Sequence, residues 1–429
     1  MARYADLSKA ELEEELSRVR ERYVELQARD LALNMARGKP SAAQLELSLP
    51  MLDLLDSAAD LRAEDGTDCR NYGVLDGIPE AKRLMAALLD DAPENVIVLG
   101  NASLTAMYDA MARYWMFGAL GSEPWGRLDE VKWLCPVPGY DRHFTICEAL
   151  GIQMIPVPMD ENGPDMDEVE RLVAADPAIK GIWCVPKYSN PSGVTYSDDV
   201  VRRLASMETA APDFRIFWDN AYAVHHLSDD PAEQDAVLDI AAACAEAGNP
   251  DRYLKFGSTS KITFPGAGVA AVAGSPANVA EIKRHMNAQA IGHDKLNQLR
   301  HARFLDEGRG IAAHMARHGE LMKPRFDLVV RCLDDELGEA DIATWTNPRG
   351  GYFVSFDGPA GTAERIVALA KEAGVVMTGA GATWPYGNDP ADANIRIAPS
   401  LPPLEELEAA MEVFCCCVKL AALEQLLEE

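Results

Sequence analysis

The sequence predicts an α/β fold with a large domain, built on a seven-stranded and mostly parallel sheet, and a smaller α+β domain. Two observations lead to this prediction. From Val96 to Ser275, seven short apolar segments alternate with segments of helical pattern, and strands that alternate with helices form parallel sheets covered on both faces. Beyond about Gly292 the chain changes to long helical stretches with three later strand candidates.

The first helix is predicted from a capping pattern near the N-terminus. Ser8 is followed three residues later by Glu11, and a charged helical stretch then continues to about Arg29. This spacing is typical of a capping box, in which each of the two side chains bonds the backbone of the other residue. Because the stretch does not resemble a signal peptide and no apolar run approaches about 20 residues, we expect a cytoplasmic protein.

The strand candidates are short apolar runs bounded by turn residues. The seven assigned to the large sheet are, in chain order, VIVLG, VKWLCP, QMIPVP, GIWCVP, RIFWDN, YLKFGS and GVAAVAGS. The three assigned to the smaller domain are GGYFVSF, GVVMTGAG and NIRIAPS. We see no internal repeat or flexible linker that would divide the chain further.

Charge and cysteine usage exclude several classes of partner. The chain has 68 acidic and 40 basic residues, a formal net charge of −28, so we expect neither nucleic acid nor an anionic membrane as a partner. The nine cysteines form no CxxC pair or Cys/His cluster, which predicts no metal site. The run from Cys415 to Cys417 lies in an apolar helical pattern, which favours buried residues of a reduced protein.

Polar residues follow five of the strand candidates. They are NASLT after VIVLG, VPGYDRHF after WLCP, KYSNPSG after GIWCVP, DNAY after RIFW and STSK after YLKFG. In such sheets a ligand binds beyond the carboxyl ends of the strands. Each segment also has an ordinary alternative, such as a helix N-cap, aromatic packing or an Asn-Pro turn. Together they place an amine, a carboxylate, a phenol, an amide and an anion cradle along one sheet edge.

The lysine of this set, Lys261, stands in KFGSTSKITFPGAG. A phosphate-binding P-loop needs glycines before the lysine and a Ser or Thr after it, whereas Ile262 follows here. Two alternatives remain for the lysine. It is either a solvated surface residue, as most lysines are, or an amine near an anion that Ser258, Thr259 and Ser260 help to bind.

The combination favours a site for pyridoxal 5′-phosphate (PLP). That cofactor needs a lysine for its Schiff base, an acid that keeps the pyridine nitrogen protonated, and donors for its phosphate and ring hydroxyl. Each of these groups is present in the segments at the predicted sheet edge.

From about Leu31 to its C-terminus the chain resembles the fold-type I PLP-dependent aminotransferases. The motifs that carry the resemblance occur in the family's order: NMARGKPS, NYGVLDGIPE, GNASLTAMYD, YSNPSG, WDNAY, STSK and IRIAPS. They look most like an outlying bacterial aspartate aminotransferase subgroup that is related to the effector domain of MocR-type regulators. The resemblance implies a homodimer with composite active sites and transamination between an L-amino acid, with aspartate preferred, and 2-oxoglutarate.

The resemblance also implies a division of the chain into domains. Residues 1–50 would form an N-terminal helix and arm belonging to the small domain, residues 51–295 the large PLP-binding domain, and residues 296–429 the rest of the small domain.

By this resemblance, catalysis would depend on Lys261, Asp219 and Tyr222. Lys261 would carry the cofactor and move the proton, and Asp219 would pair with the pyridinium nitrogen. His143 would lie behind that acid, while Asn190 and Tyr222 would donate to the ring hydroxyl.

The remaining roles also follow from the resemblance. Tyr140 would stack on the cofactor ring. The α-carboxylate of the substrate would contact Arg396, Asn190 and the backbone of Gly38. The phosphate would be held by Ala102, Ser103, Ser258, Ser260 and, from the neighbouring subunit, Tyr72.

Three questions stay open at this stage. The family's usual arginine near the phosphate is missing from SKITFPGAGVA, and Lys255 is one candidate to replace it. The cation for an acidic substrate side chain could be Arg37, Lys39, Lys187 or a residue of the other subunit. The alternatives to transamination are a PLP-dependent lyase or decarboxylase and a non-catalytic regulator. A MocR-type regulator needs a winged-helix domain before this region, and only about thirty residues precede LALNMARGKPS.

Overall fold

The computed structural model describes residues 3–428 of the chain. The α-helices are α1 (Lys9–Gln27), α2 (Ala42–Glu46), α3 (Pro79–Leu89), α4 (Ser103–Phe117), α5 (Asp141–Ala149), α6 (Met166–Ala175), α7 (Asp198–Ser206), α8 (Ile240–Glu246), α9 (Pro276–Met286), α10 (Lys295–Phe304), α11 (Ile311–Leu337), α12 (Ala363–Glu372) and α13 (Leu404–Glu428). The β-strands are β1 (Leu33–Asn34), β2 (Val96–Val98), β3 (Lys132–Val137), β4 (Gln153–Asp160), β5 (Gly163–Pro164), β6 (Ile179–Cys184), β7 (Arg215–Asp219), β8 (Tyr253–Ser258), β9 (Ala270–Gly274), β10 (Thr344–Trp345), β11 (Val354–Asp357), β12 (Val375–Val376) and β13 (Asn394–Ile397).

The large sheet has the strand order β2-β9-β8-β7-β6-β3-β4-β5. The neighbours from β8 to β4 pair in parallel, whereas β9 runs antiparallel to both β8 and β2. Seven of the strands coincide with the seven predicted segments, which confirms the α/β class and the mostly parallel sheet. The eighth strand, β5, was not predicted; it is a two-residue strand antiparallel to the end of β4.

Helices cover both faces of this sheet because successive strand residues point to opposite sides. In β7, Ile216 and Trp218 pack into a core with residues of α6, α7 and α8, whereas Phe217 packs into a second core with residues of α4, α5 and α9. Every residue of β7 is buried. The strand ends that face the functional site are therefore fixed from both sides.

The C-terminal part contains a three-stranded antiparallel sheet of order β10-β11-β13. The segment GVVMTGAG, predicted as a strand, forms only the two-residue β12, which pairs in parallel with β1 outside that sheet. Helix α1 shares one hydrophobic core with α11, α12, α13 and β11, including Val19, Leu333 and Phe414. This shared core agrees with the prediction that the N-terminal helix belongs to the smaller domain, while the domain boundaries stay a prediction.

The N-terminus of α1 has the predicted capping box. The Ser8 hydroxyl accepts a hydrogen bond from the Glu11 amide at 3.4 Å, and the Glu11 carboxylate accepts one from the Ser8 amide at 2.8 Å. These bonds satisfy backbone donors that have no partner within the helix. The helix ends at Gln27, two residues before the predicted end.

The three consecutive cysteines are buried in α13, as predicted. Burial raises the pKa of the Cys415 and Cys417 thiols well above the ordinary value, and that of Cys416 to about 11. These side chains therefore stay protonated thiols at neutral pH. Within residues 3–428, none of the helices combines the length and the apolar character that a bilayer span requires.

Candidate active site

A cavity of about 450 Å³ opens at the carboxyl edge of the large sheet and extends to the C-terminal strands. Residues that follow β3, β6, β7 and β8 form one wall, and residues around β1, β11 and β13 form the other. Six of the predicted site residues line this cavity: Gly38, Tyr140, Asn190, Tyr222, Lys261 and Arg396. Segments more than 350 residues apart in the sequence thus meet at one place.

Asp219, the last residue of β7, forms a buried pair with His143. The Asp219 Oδ2 atom lies 3.0 Å from His143 Nε2, and the two side chains are only 3% and 2% exposed. The imidazole stacks on Trp183, with ring centroids 4.4 Å apart and planes 10° apart, and meets the ring of Tyr140 edge-on at 5.0 Å. The second carboxylate oxygen, Oδ1, is buried and has no hydrogen-bond partner among the described residues. A buried acceptor without a donor is costly, so this oxygen is suited to a donor from a ligand.

Lys261 follows β8 and directs its amine toward Tyr222. The Nζ atom lies 4.7 Å from the centroid of the Tyr222 ring. Burial lowers the pKa of Lys261 below its ordinary value, the charge of Arg396 lowers it further, and the charge of Asp219 opposes them. Burial also raises the pKa of the Tyr222 hydroxyl. The site therefore favours an amine that loses its proton easily beside a phenol that keeps its own.

The loop that carries Lys261 is held by backbone and histidine contacts. The buried Thr259 hydroxyl accepts a hydrogen bond from the Val269 amide at 2.9 Å, and the Thr259 carbonyl accepts bonds from the next turn of the loop. His314 Nε2 lies 2.8 Å from the carbonyl oxygen of Ile262. The suggestion that Thr259 helps to bind an anion is therefore wrong, because its side chain is fully buried and its amide donates to the Val269 carbonyl.

The residues predicted to bind a phosphate come together at the start of α4. Ala102 is the N-cap residue and Ser103 the first residue of this helix. The Ser260 hydroxyl donates to the Asn101 carbonyl at 3.0 Å, and the Ser258 hydroxyl donates to that of Ser260 at 3.0 Å. Free backbone N–H groups and the helix dipole make such an N-terminus suitable for an anion.

Gly268 permits this close approach of the two loops. A Cβ atom at Gly268 would lie 3.0 Å from the Asn101 carbonyl oxygen and 3.3 Å from both the amide nitrogen and the hydroxyl of Ser260. The backbone atoms cannot yield as a flexible side chain can, so a larger residue would move the helix N-terminus away from the serines.

Two lysines that were considered for charged roles have other partners. Lys255 is 1% exposed; its Nζ atom donates to the Asp90 carbonyl at 2.6 Å and pairs with Asp239 at 2.6 Å and Asp91 at 3.3 Å. Lys187 donates to the Ala223 carbonyl at 3.0 Å and does not line the cavity. Lys255 therefore does not replace the missing phosphate arginine, and Lys187 does not contact the substrate space.

At the other wall, the guanidinium of Arg396 on β13 faces the cavity. Its Nη1 atom donates to Asn190 Oδ1 at 3.3 Å and to Asp141 Oδ1 at 3.0 Å, while its Nε atom is buried without a partner among the described residues. The guanidinium carbon lies 4.9 Å from the Phe353 ring centroid. A Cβ atom at Gly38 would meet the same ring at 2.5 Å, so a larger residue in this loop after β1 would displace the Phe353 ring.

Four further charged residues lie together at the cavity, which the sequence analysis did not predict as a group. Arg37, Lys39, Asp141 and Arg142 all line it. Asp141 and Arg142 were missed, although they directly follow Tyr140 in VPGYDRHF, because charged residues at a helix start are usually solvated.

Tyr72 is the predicted site residue that lies apart: it is 83% exposed and does not line the cavity of its own chain.

A family model described as aspartate amino-transferase matches residues 7–429. The chain belongs to this family. An aspartate aminotransferase of Corynebacterium glutamicum is 47% identical over 433 residues, covering 99% of each chain. The crystal structure of an aspartate transaminase from the same species superposes with a TM-score of 0.94, at 46% identity over 98% of each chain. This likeness confirms the predicted aminotransferase family and its fold.

More distant relatives of this aminotransferase agree on the fold. An α-aminoadipate aminotransferase of Thermus thermophilus, solved with N-(5′-phosphopyridoxyl)-L-leucine, has a TM-score of 0.73 at 22% identity and covers 93% of this chain and 95% of its own. An uncharacterized HTH-type transcriptional regulator of Bacillus subtilis is 26% identical over 282 residues, covering 64% of this chain and 53% of the regulator. The predicted relation to regulators of this kind is therefore present, at low identity.

Proposed function

We propose that this aminotransferase uses PLP and moves the amino group of an acidic L-amino acid, with aspartate preferred, to 2-oxoglutarate. The observation that carries the proposal is the arrangement of Lys261 and Asp219. An amine with a lowered pKa faces the cavity beside a buried carboxylate that is paired with His143 on one oxygen and unpaired on the other. These are the two groups that the chemistry of this cofactor requires on opposite sides of its ring.

The residues present fit the cofactor at each of its polar groups. The unpaired Asp219 Oδ1 suits a protonated ring nitrogen. Tyr222 and Asn190 line the cavity where a ring hydroxyl would need partners. The start of α4 and the Ser258–Ser260 pair, brought together over Gly268, suit a phosphate. When bound, PLP supplies an aldehyde for the amine and a ring that withdraws electrons from the substrate Cα.

The chain's own groups then have distinct tasks. Asp219 would keep the proton on the ring nitrogen through Oδ1, and His143 fixes the carboxylate through Oδ2. Lys261 would take the proton from the substrate Cα and deliver it to the carbon on the other side of the amino nitrogen. Its lowered pKa suits this exchange, because a base works best with a pKa near the working pH.

Substrate recognition is proposed to use the basic side chains of the cavity. Arg396 would hold the α-carboxylate through paired hydrogen bonds, with Asn190 and the Gly38 backbone beside it. For the second carboxylate the cavity offers Arg37, Lys39 and Arg142, none of which forms an ion pair within residues 3–428. In a chain of net charge −28, this local excess of cations supports an acidic substrate. The name of the Corynebacterium glutamicum relative supports aspartate in particular.

We also propose a cytoplasmic homodimer in which Tyr72 reaches the phosphate of the neighbouring site. Tyr72 is 83% exposed, and other large apolar side chains are also exposed. They include Leu49, Leu52, Met116, Phe117 and Ile291. Exposed apolar surface of this kind favours association. The nine cysteines form no disulfide in the structure, which supports the cytoplasmic compartment.

The test is the amino-acid half-reaction of the purified holoenzyme. We expect the cofactor absorbance band to change with aspartate and glutamate much faster than with alanine, phenylalanine or leucine, because the cations that line the cavity can pair with an acidic side chain and not with an apolar one. A Lys261→Ala variant is the control and should show no turnover. If alanine or phenylalanine reacts faster than aspartate, the acidic-substrate assignment fails; release of the amino nitrogen as ammonia, rather than its retention on the enzyme, would indicate a lyase.

A further inference from the structure

Arg396 is engaged by a carboxylate of the chain itself. Its side chain is 7% exposed, and Asp141 Oδ1 lies 3.0 Å from its Nη1 atom. The Asp141 side chain is 36% exposed, so it approaches the guanidinium from the open side of the cavity. An arginine has several donors in one plane, and here Nη1 is paired while Nε has no partner among the described residues. The buried cation is thus partly neutralised and retains unused donors.

Asp141 has no other structural task that the contacts reveal. It is the first residue of α5, but the N-cap position is Tyr140 and the helix start has no side-chain cap. The hydrogen bond to Arg396 is the one that its carboxylate makes within the described chain. Its position at a helix N-terminus is mildly favourable for an acid. Rotation of its side chain away from Arg396 would therefore break a single contact and leave the helix intact.

Asp141 is also the sole carboxylate that lines the cavity in the described part of the chain. Five basic side chains line the same space: Arg37, Lys39, Arg142, Lys261 and Arg396. A carboxylate among so many cations lowers the attraction of the cavity for anions. It does so at the guanidinium that the substrate's α-carboxylate would need.

We propose that Asp141 is an internal counter-ion of Arg396 that the substrate's α-carboxylate displaces, and that it thereby sets the affinity of the site for carboxylates. This inference rests on the proposed role of Arg396. Asp141 occupies the Nη1 donor, so a substrate carboxylate that takes paired bonds from the Nη1 side of the guanidinium must break the Asp141 bond, because two carboxylates at one edge repel each other. The exchange replaces one charge-assisted bond by another, which keeps substrate binding weak enough for product to leave.

The experiment compares Asp141→Asn with wild type as purified holoenzymes. The probe is succinate, which has the two carboxylates of the proposed substrate and no amino group to react. We expect the Kd of succinate, measured by calorimetry, to fall by about tenfold, because the competing charge-assisted bond is lost. The KM for aspartate should fall with it. Glu148→Gln, which removes an exposed charge from the same helix outside the cavity, should leave both values unchanged.

An increased Kd for succinate in Asp141→Asn would mean that Asp141 orients Arg396 for substrate. An unchanged Kd would mean that Asp141 does not compete with the substrate carboxylate. Either result would overturn the proposal. Asp141→Ser serves as a second variant if the asparagine variant does not fold, and the same fall in Kd is expected. A third variant, Arg396→Lys, distinguishes failure of the counter-ion proposal for Asp141 from failure of the proposed substrate-binding role of Arg396. If Arg396→Lys leaves succinate binding unchanged, the α-carboxylate role of Arg396 is wrong; if it weakens binding, that role stands whatever Asp141 does.

Discussion

Lys261 sits between two charges of opposite sign, and its protonation responds to both. Burial and the charge of Arg396 lower its pKa, whereas the charge of Asp219 raises it. Between the lowered pKa and the ordinary value of 10.5 the unfolded chain binds one proton more than the folded apoprotein. The free energy of unfolding of the apoprotein therefore rises with pH through this window, as far as Lys261 contributes.

Removing each of these two charges should therefore shift the pKa of Lys261 in opposite directions. The rate at which the apoenzyme condenses with PLP should rise with pH and level off below the ordinary pKa of lysine, because the neutral amine reacts. Arg396→Gln removes a positive charge and should move the levelling-off to higher pH, while Asp219→Asn removes a negative charge and should move it to lower pH. The measurement is the pH dependence of the condensation rate in the three proteins. A shift of both variants in the same direction would contradict the account.

Sequence reasoning found the chemical groups of the site but not all of their neighbours. Lys261, Asp219 and Arg396 were predicted as site residues because each occurs in a motif whose order and residues resemble a known family; the structure brings Lys261 and Arg396 to one cavity, and their roles stay a prediction. Lys255 and Thr259 could not be assigned correctly, since their partners lie elsewhere in the chain: the Asp90 carbonyl for Lys255 and the Val269 amide for Thr259. Asp141 was overlooked because its partner, Arg396, is 255 residues away.

At the scale of elements, the site depends on how closely the loop after β8 approaches the start of α4. Gly268 makes this approach possible. At Gly266, two residues earlier, an added Cβ atom would have no other atom within 4 Å. Gly268→Ala should separate Ser260 from Asn101 and raise the Kd for PLP by about tenfold, because a phosphate contact and a packed loop are both disturbed. Gly266→Ala should leave it unchanged. The Kd is measured by titrating the apoproteins with PLP; equal values for both variants would show that the loop contact has no role in phosphate binding.

The elements themselves were largely predictable. The seven strands of the large sheet are apolar runs that end at polar or turn residues, and burial on both faces leaves little choice of residue type. Very short strands were not predictable in the same way. β5 and β12 have two residues each, and such strands form because a neighbouring backbone is in reach rather than because of a pattern in their own residues.

At the scale of the whole molecule, the proposed homodimer accounts for the exposed position of Tyr72 and of Ile291, which is 64% exposed. We expect sedimentation analysis to give a dimer for the wild type. Ile291→Asp should shift the protein toward monomer, because burying an unpaired charge at an interface is costly. The monomer should lose affinity for PLP, since its phosphate would lack the neighbouring Tyr72. A fully active monomer at the assay concentration would contradict the composite site.

The central claim, that Lys261 is the amine that holds PLP, can be measured directly. Borohydride reduction of the holoenzyme fixes the cofactor to the lysine that carries it, and peptide mass mapping then identifies that lysine. Lys187 is an internal comparison, because burial lowers its pKa to about 8 although it does not line the cavity. The account predicts the phosphopyridoxyl mass on the peptide that contains Lys261 and on no other. A label on Lys187 or on any other lysine would contradict it.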